Sequence, residues 1–300
     1  MDHDERSQPD APDGACPTGR RYTEQLGSWR MESAGQSREF WEQRLDEDWT
    51  LSGVGYQALG RPFNTWMYRV RRGVFLREVS RLNLDLPTAQ VLDVGSGTGF
   101  YVRLWRELGA GSVTGCDLTQ SAVDRLAQRH PDVTFLRLDI SEPVTSLEPG
   151  RFDAVSCMDV LFHITDDERF RSAVANIAAL LRPGGHFVLS DNFLHRAEQR
   201  GARQANRSLA HIEGVLDAAG FDVLRRVPML VLMNAQVDAP PVWRKSWGAA
   251  LRGATVADAT GWLAGALLYP LERQLVRRVS ESPTTEIMTC RRRSAAFPIG

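Results

Sequence analysis

Three glycines, each separated by one residue, stand between two acids in the stretch VLDVGSGTGFYVRLWRELGAGSVTGCDL, residues 91–118. Gly95, Gly97 and Gly99 alternate with Ser96, Thr98 and Phe100; Asp93 lies just upstream, and Asp117 closes the next apolar run. A glycine loop lets backbone approach a ligand closely, because glycine has no Cβ and accepts positive φ. Phosphate loops of the form GxxxxGK[ST] require a lysine; this loop has none, and the only lysine of the chain is Lys245. Dinucleotide loops of the form GxGxxG set a pyrophosphate on a helix N-terminus. Phe100 occupies the place of the third glycine of that pattern, and an anionic pyrophosphate gains nothing from the nearby Asp93. Acids flanking a phosphate-free loop favour a ligand that carries positive charge.

In these residues the chain resembles the class I S-adenosylmethionine-dependent methyltransferases. VLDVGSGTG matches their first motif, LDI (138–140) the third-strand motif, FDAVSCMDVLFHI the fourth-strand motif and LLRPGGHFVLSD the motif after the following helix, in order over residues 89–191. The resemblance implies S-adenosyl-L-methionine as cofactor, cradled by Gly95, Ser96, Gly97 and Gly99. It implies that Asp117, beside Leu118, accepts hydrogen bonds from both ribose hydroxyls. Asp139 would take the adenine amino group with Ile140 beside the ring, while Met158 and Asp159 border the methionine end. Asp93 would serve the cofactor directly or through water. The reaction implied is in-line transfer of a methyl group, in which the protein supplies position and electrostatics.

A general base is needed only if the acceptor must lose a proton. His163, after the fourth apolar run, and His195, after the fifth, are the candidate catalytic residues; Asn192 is a candidate substrate contact beside His195. Tyr56, Asn64 and Tyr68, in the aromatic N-terminal part, are candidates to close over the acceptor. Arg69, Arg71, Arg72 and Arg244 read as solvated. The [DN]PP[YF] signature of amino-group methylation on nucleobases is replaced by MDVL, and Cys157 follows a serine rather than the proline of a pyrimidine-methylating nucleophile. A small-molecule acceptor methylated on O or N is therefore expected. Methylation of protein or RNA, a non-catalytic cofactor-binding partner and a nicotinamide oxidoreductase are the competing readings.

These side chains need a scaffold. AQVLDV, GSVTGCD, DVTFLRLD, FDAVSCM, HFVLSD and FDVLRRVPMLVLM are apolar, β-branched runs, with helical stretches expected at 99–109, 119–129, 166–181 and 205–219 and a last strand at 284–290. Such alternation predicts an α/β fold, a doubly wound, mostly parallel seven-stranded sheet of Rossmann-like type. Residues 1–20 read as a disordered tail, 21–88 as an N-terminal helical cap with Ser37 capping a helix, and 89–300 as the cofactor-binding domain. Its insertion, 235–283, is expected to form two or three short helices, with WLAGALLYPL packed on the domain. An apolar share of 43% supports a buried core, and a net charge of −1 argues against a general nucleic-acid binder. Cys16, Cys116, Cys157 and Cys290 are too scattered for a metal site. No apolar run approaches the roughly 20 residues of a membrane span. A cytoplasmic protein is expected, with a homodimer as one candidate assembly.

Overall fold

The computed structural model describes residues 34–294; the expected tail at 1–20 and Cys16 lie outside them. Parallel strands β1 (Gln90–Val94), β2 (Ser112–Asp117), β3 (Thr134–Arg137), β4 (Phe152–Met158) and β5 (Leu181–Asp191) join β8 (Phe221–Pro228) and β9 (Glu286–Arg292) in one sheet, ordered β3-β2-β1-β4-β5-β9-β8. Only β9 runs antiparallel to its neighbours. All seven residues of β4 are buried, as befits a central strand covered on both faces. Successive strand residues point to opposite faces. Val91, Ala154 and Val188 thus enter one apolar layer, while Leu92, Val155, Phe187 and Leu189 enter the other.

Helices α3 (Phe100–Glu107), α4 (Gln120–Arg129), α5 (Asp167–Leu180) and α6 (Leu209–Ala218) connect the strands, and α1 (Ala34–Glu47) and α2 (Gly60–Val79) precede them. Phe63, Met67, Val70 and Val74 form the buried stripe of α2 at helical spacing. Strand order reverses between β1 and β4, which opens a crevice at their carboxyl ends, where ligands bind in such sheets.

Several boundaries differ from the sequence expectation. Ala34-Gly35-Gln36 offers no proline or β-branched residue to stop a helix, so α1 runs through Ser37 instead of starting there. Residues 205–206 pair with 199–200 as a small hairpin, β6 (Gln199–Arg200) and β7 (Ala205–Asn206), so α6 starts only at Leu209, capped by Ser208. The run FDVLRRVPMLVLM ends as a strand at Pro228. Beyond it, the amides of Val231, Leu232 and Met233 donate to the carboxylate of Glu272 (closest contacts 2.6, 2.9 and 3.3 Å) instead of to a ladder. Glu272 belongs to the insertion, which folds as two helices, α7 (Pro241–Ala254) and α8 (Asp258–Arg278); the second is 21 residues long and runs through Pro270.

Candidate functional site

Backbone geometry at the carboxyl ends of β1 and β2 sets the first wall of a cleft. Gly95, Gly97 and Gly99 adopt φ of 73°, 51° and 77°, a region that costs other residues roughly 1–2 kcal/mol. A Cβ on Gly95 would lie 2.2 Å from Cγ2 of Val160. The amides of Gly95 and Ser96 donate to the carbonyl of Cys116 (2.8 and 3.0 Å), which ties the loop to β2. Gly95, Ser96 and Gly97 line the cleft, whereas Gly99 stands behind it as the start of α3.

The four acids take different places. Asp93 lies beneath the loop, 2% exposed, and is not part of the cleft wall. Trp105 Nε1 donates to Ser156 Oγ (2.9 Å), whose hydroxyl donates to Asp93 Oδ1 (2.5 Å), while Oδ2 has no donor. Burial, only partly offset by Ser156, pushes this carboxyl up to about 7. Asp117 is on the wall. Its Oδ1 accepts from the amide and hydroxyl of Thr119 (3.0 and 2.7 Å) and its Oδ2 from the amide of Gly97 (2.8 Å). Each carboxylate oxygen can accept about twice, so Oδ2 keeps one acceptor position toward the cleft, rather than one free oxygen for each ribose hydroxyl. Burial raises this carboxyl as well.

Asp139 also lines the cleft, beside Leu118 and Ile140. It is committed further than expected: Oδ1 accepts from the amide and hydroxyl of Ser141 (3.0 and 2.6 Å), and Oδ2 pairs with Arg169 Nη2 (2.8 Å). Asp159, next to Met158 on the wall, has φ of 60°. Its Oδ1 accepts from Ser190 Oγ (2.8 Å), and its Oδ2 pairs with Arg71 Nη1 at 2.5 Å. Arg71 is thus a buried cation and not a solvated one. In the sequence it sits in an unremarkable VRRG run, and its partner is 88 residues away.

The other half of the cleft comes from helices. Glu42 of α1 accepts from the amides of Gln120 and Ser121 (2.9 and 2.7 Å), the free donors of the α4 N-terminus, and Arg125 Nη1 of α4 donates to the Leu45 carbonyl (2.8 Å). Held in this way, α1 presents Trp41 and Leu45 to the cleft, joined by Val54, Tyr68 and Phe100. Burial pushes the Tyr68 phenol up to about 12. His163 lines the same half, with the edge of Trp41 at 4.9 Å between centroids. Its Nδ1 lies 2.9 Å from the carbonyl of Arg203. A carbonyl only accepts, so Nδ1 carries the proton and Nε2 keeps a lone pair. Desolvation lowers this imidazole to about 4, and it is neutral throughout the physiological range.

Besides Asp93 and Gly99, four candidate catalytic or substrate residues do not reach the cleft. Asn64 is wholly buried; its Oδ1 accepts from the Tyr56 amide (3.0 Å) and its Nδ2 donates to the carbonyls of Tyr56 and Gly60 (2.8 Å each), closing the turn before α2. Tyr56 is the other side of that turn and packs on the core. Asn192 is spent on Asn206 (2.7 Å) and Thr285 (3.4 Å). His195 is exposed, its Nδ1 at 2.9 Å from Asp238 and its Nε2 at 3.3 Å from Glu281. The chain after β5 is drawn toward the segment preceding α7, because Asp238 also accepts from the His195 amide (3.0 Å). Trp41, Leu45, Val54 and Arg169 are wall residues that sequence reasoning missed; no local pattern marks them, since each depends on how remote segments pack.

A family model described as a methyltransferase domain matches residues 91–185. Ubiquinone biosynthesis O-methyltransferase from Alkalilimnicola ehrlichii is 34% identical over 128 residues, 38% of this chain and 49% of that protein. The enzyme of the same name from Albidiferax ferrireducens is 39% identical over 107 residues, 34% of this chain and 40% of that protein. The chain spans half or less of the length of these curated relatives. Magnesium protoporphyrin IX methyltransferase from Synechocystis PCC 6803 shares the fold, with a TM-score of 0.54 at 16% identity, covering 88% of this chain and 98% of that one.

Proposed function

We propose that this chain, a member of the class I S-adenosylmethionine-dependent methyltransferase family, binds S-adenosyl-L-methionine in the cleft and methylates an O or N atom of a small, apolar acceptor. The observation that carries this reading is the convergence of Gly95–Gly97, Asp117, Asp139 and Met158 on one cleft at the carboxyl ends of four neighbouring strands. The bound cofactor would supply an electrophilic methyl group on a sulfonium. The residues fit it: the loop offers backbone without a phosphate-binding cation, the wall carries acids, and Asp117 keeps an acceptor position for a hydroxyl.

In this reading Asp117 holds the ribose and Leu118 and Ile140 flank the adenine. Asp139 is turned by Arg169, so Arg169 also helps shape the adenine end. Asp93 stiffens the loop from below and reaches the ligand through water. The described part of the expected cap, residues 34–88, supplies the acceptor wall, and 235–283 is an insertion. Trp41, Leu45, Val54 and Phe100 make that wall apolar, and among the described residues the single arginine of the cleft, Arg169 at the adenine end, is already paired with Asp139 and Glu142. A neutral acceptor is therefore favoured over an acidic one. Nε2 of neutral His163 accepts a hydrogen bond from the acceptor; as a base with a conjugate acid near 4, it orients better than it deprotonates.

The test is incubation of the chain with methyl-labelled S-adenosylmethionine and separated small-molecule, protein and RNA fractions of a cell extract. Label moving to a small organic compound is the expected result. Label moving only to protein or RNA would overturn the acceptor class.

A further inference from the structure

Among the described residues, nine large apolar side chains are exposed, and seven of them, from Val242 to Leu271, lie in α7, α8 or the turn between them. On α8, Trp262, Leu263, Leu267 and Leu271 are 53%, 53%, 69% and 49% exposed. Leu263, Leu267 and Leu271, four residues apart, share one face over more than two turns, whereas Trp262 stands at its border with its ring edge-on to Trp66 at 5.6 Å. The opposite face of α8 is firmly seated. Gly265 meets Trp66 so closely that a Cβ would lie 2.3 Å from its ring, Val276 is buried, and Glu272 holds the amides of 231–233. The apolar stripe is thus not needed for the domain's own core.

Charge decides what covers it. Residues 241–278 contain Arg244, Lys245, Arg252, Arg273, Arg277 and Arg278 against two acids, Asp258 and the buried Glu272. The whole chain, by contrast, has a net charge of −1. Lys245, Arg252, Arg277 and Arg278 form no ion pair with the described residues, and Arg273 lies over the Tyr269 ring. A second copy related by a twofold axis would bring these cations against one another, or against an α8 N-terminus that holds one exposed acid and the positive end of the helix dipole. An anionic lipid surface satisfies all of them at once. It also suits the composition of the stripe, in which leucines enter the acyl boundary while arginines stay among the headgroups. No described helix is long and apolar enough to cross a membrane, so the contact is in the plane of the surface.

We infer that the α7–α8 insertion is a docking surface for anionic membranes, with the Leu263–Leu267–Leu271 stripe inserted and the flanking arginines on lipid headgroups. The experiment is co-sedimentation of the full chain with vesicles of equal parts phosphatidylglycerol and phosphatidylcholine, and with phosphatidylcholine alone. The chain is expected to pellet with the anionic vesicles and much less with the neutral ones. The double variant L267E/L271E, at exposed positions, should lower the bound fraction about tenfold with an unchanged melting temperature. The triple variant R273S/R277S/R278S should lose the preference for anionic lipid. The inference is overturned if the native chain stays in the supernatant with both vesicles. It is equally overturned if the chain elutes as a dimer that L267E/L271E converts to monomer, for then a second copy covers the stripe.

Discussion

The two halves of the cleft are built in different ways. The half proposed to hold the donor is a backbone construction: three glycines at positive φ, amides tied to a neighbouring strand, and acids fixed at strand ends. The half proposed to hold the acceptor is a side-chain construction, in which Trp41, Leu45, Val54, Tyr68 and His163 arrive from separate segments. A backbone site is set by its own local sequence, because the strand and the loop it ends in determine where each amide points. A side-chain site depends on the docking of whole helices, and here on contacts as remote as Glu42 with the start of α4. Substitutions in the first half should therefore affect the cofactor specifically, and those in the second should affect stability or the acceptor.

The largest effect is expected at the loop. Gly95→Val places a β-branched side chain at positive φ against Val160. Strain and overpacking together cost about 3 kcal/mol or more; titration should show affinity for S-adenosylhomocysteine falling more than about 100-fold. At the junction of the halves, Arg71→Met leaves the carboxylate of Asp159 without its cation. Chemical denaturation should show a loss near the lower end of the roughly 3–5 kcal/mol for a broken buried pair, because the Asp159 side chain is 18% exposed. Asp117→Ala should weaken S-adenosylhomocysteine binding by about 10- to 100-fold, the scale of a lost hydrogen bond to a charged group. Arg169→Met removes a partly exposed pair, and should change that affinity by less than about fivefold. A larger loss would mean that Arg169 itself contacts the ligand.

The halves also titrate with opposite sign. Asp93 is raised from 3.8 to about 7 by burial, so the folded chain holds a proton that the unfolded chain has lost; this contribution stabilises as pH falls from about 7 toward 4 and is lost as pH rises through 7. His163 is lowered from 6.5 to about 4, so the unfolded chain binds the proton first and stability drops as pH falls from 6.5 toward 4. The two contributions oppose each other over the same window, about pH 4 to 7, so in unfolding titrations Asp93→Asn should make stability fall more steeply toward acid and His163→Gln less steeply. Asp191, also raised to about 7 by burial, keeps part of the contribution that opposes His163 in the Asp93 variant.

The same division explains what could be read in the sequence. The seven-stranded sheet, the glycine loop and the strand-end acids Asp117 and Asp139 are visible because strand periodicity and a glycine at a turn are local facts. Asn192 and His195 have the right chemistry at the right strand end, yet Asp238 and Asn206 draw them away, and no local pattern announces that. Arg71 reads as solvated for the converse reason, since nothing near it in sequence reveals Asp159. The end of β8 is legible in hindsight from Pro228, but not the capture of the following amides by Glu272.

The central claim, that a loop without a phosphate-binding cation and ringed by acids selects a positively charged adenosyl donor, is tested most directly by calorimetric titration of the purified full chain. Saturable heat with S-adenosylmethionine and S-adenosylhomocysteine and none with NADH is the predicted result. Binding of NADH, or no heat from either adenosyl compound with folded protein, would contradict it.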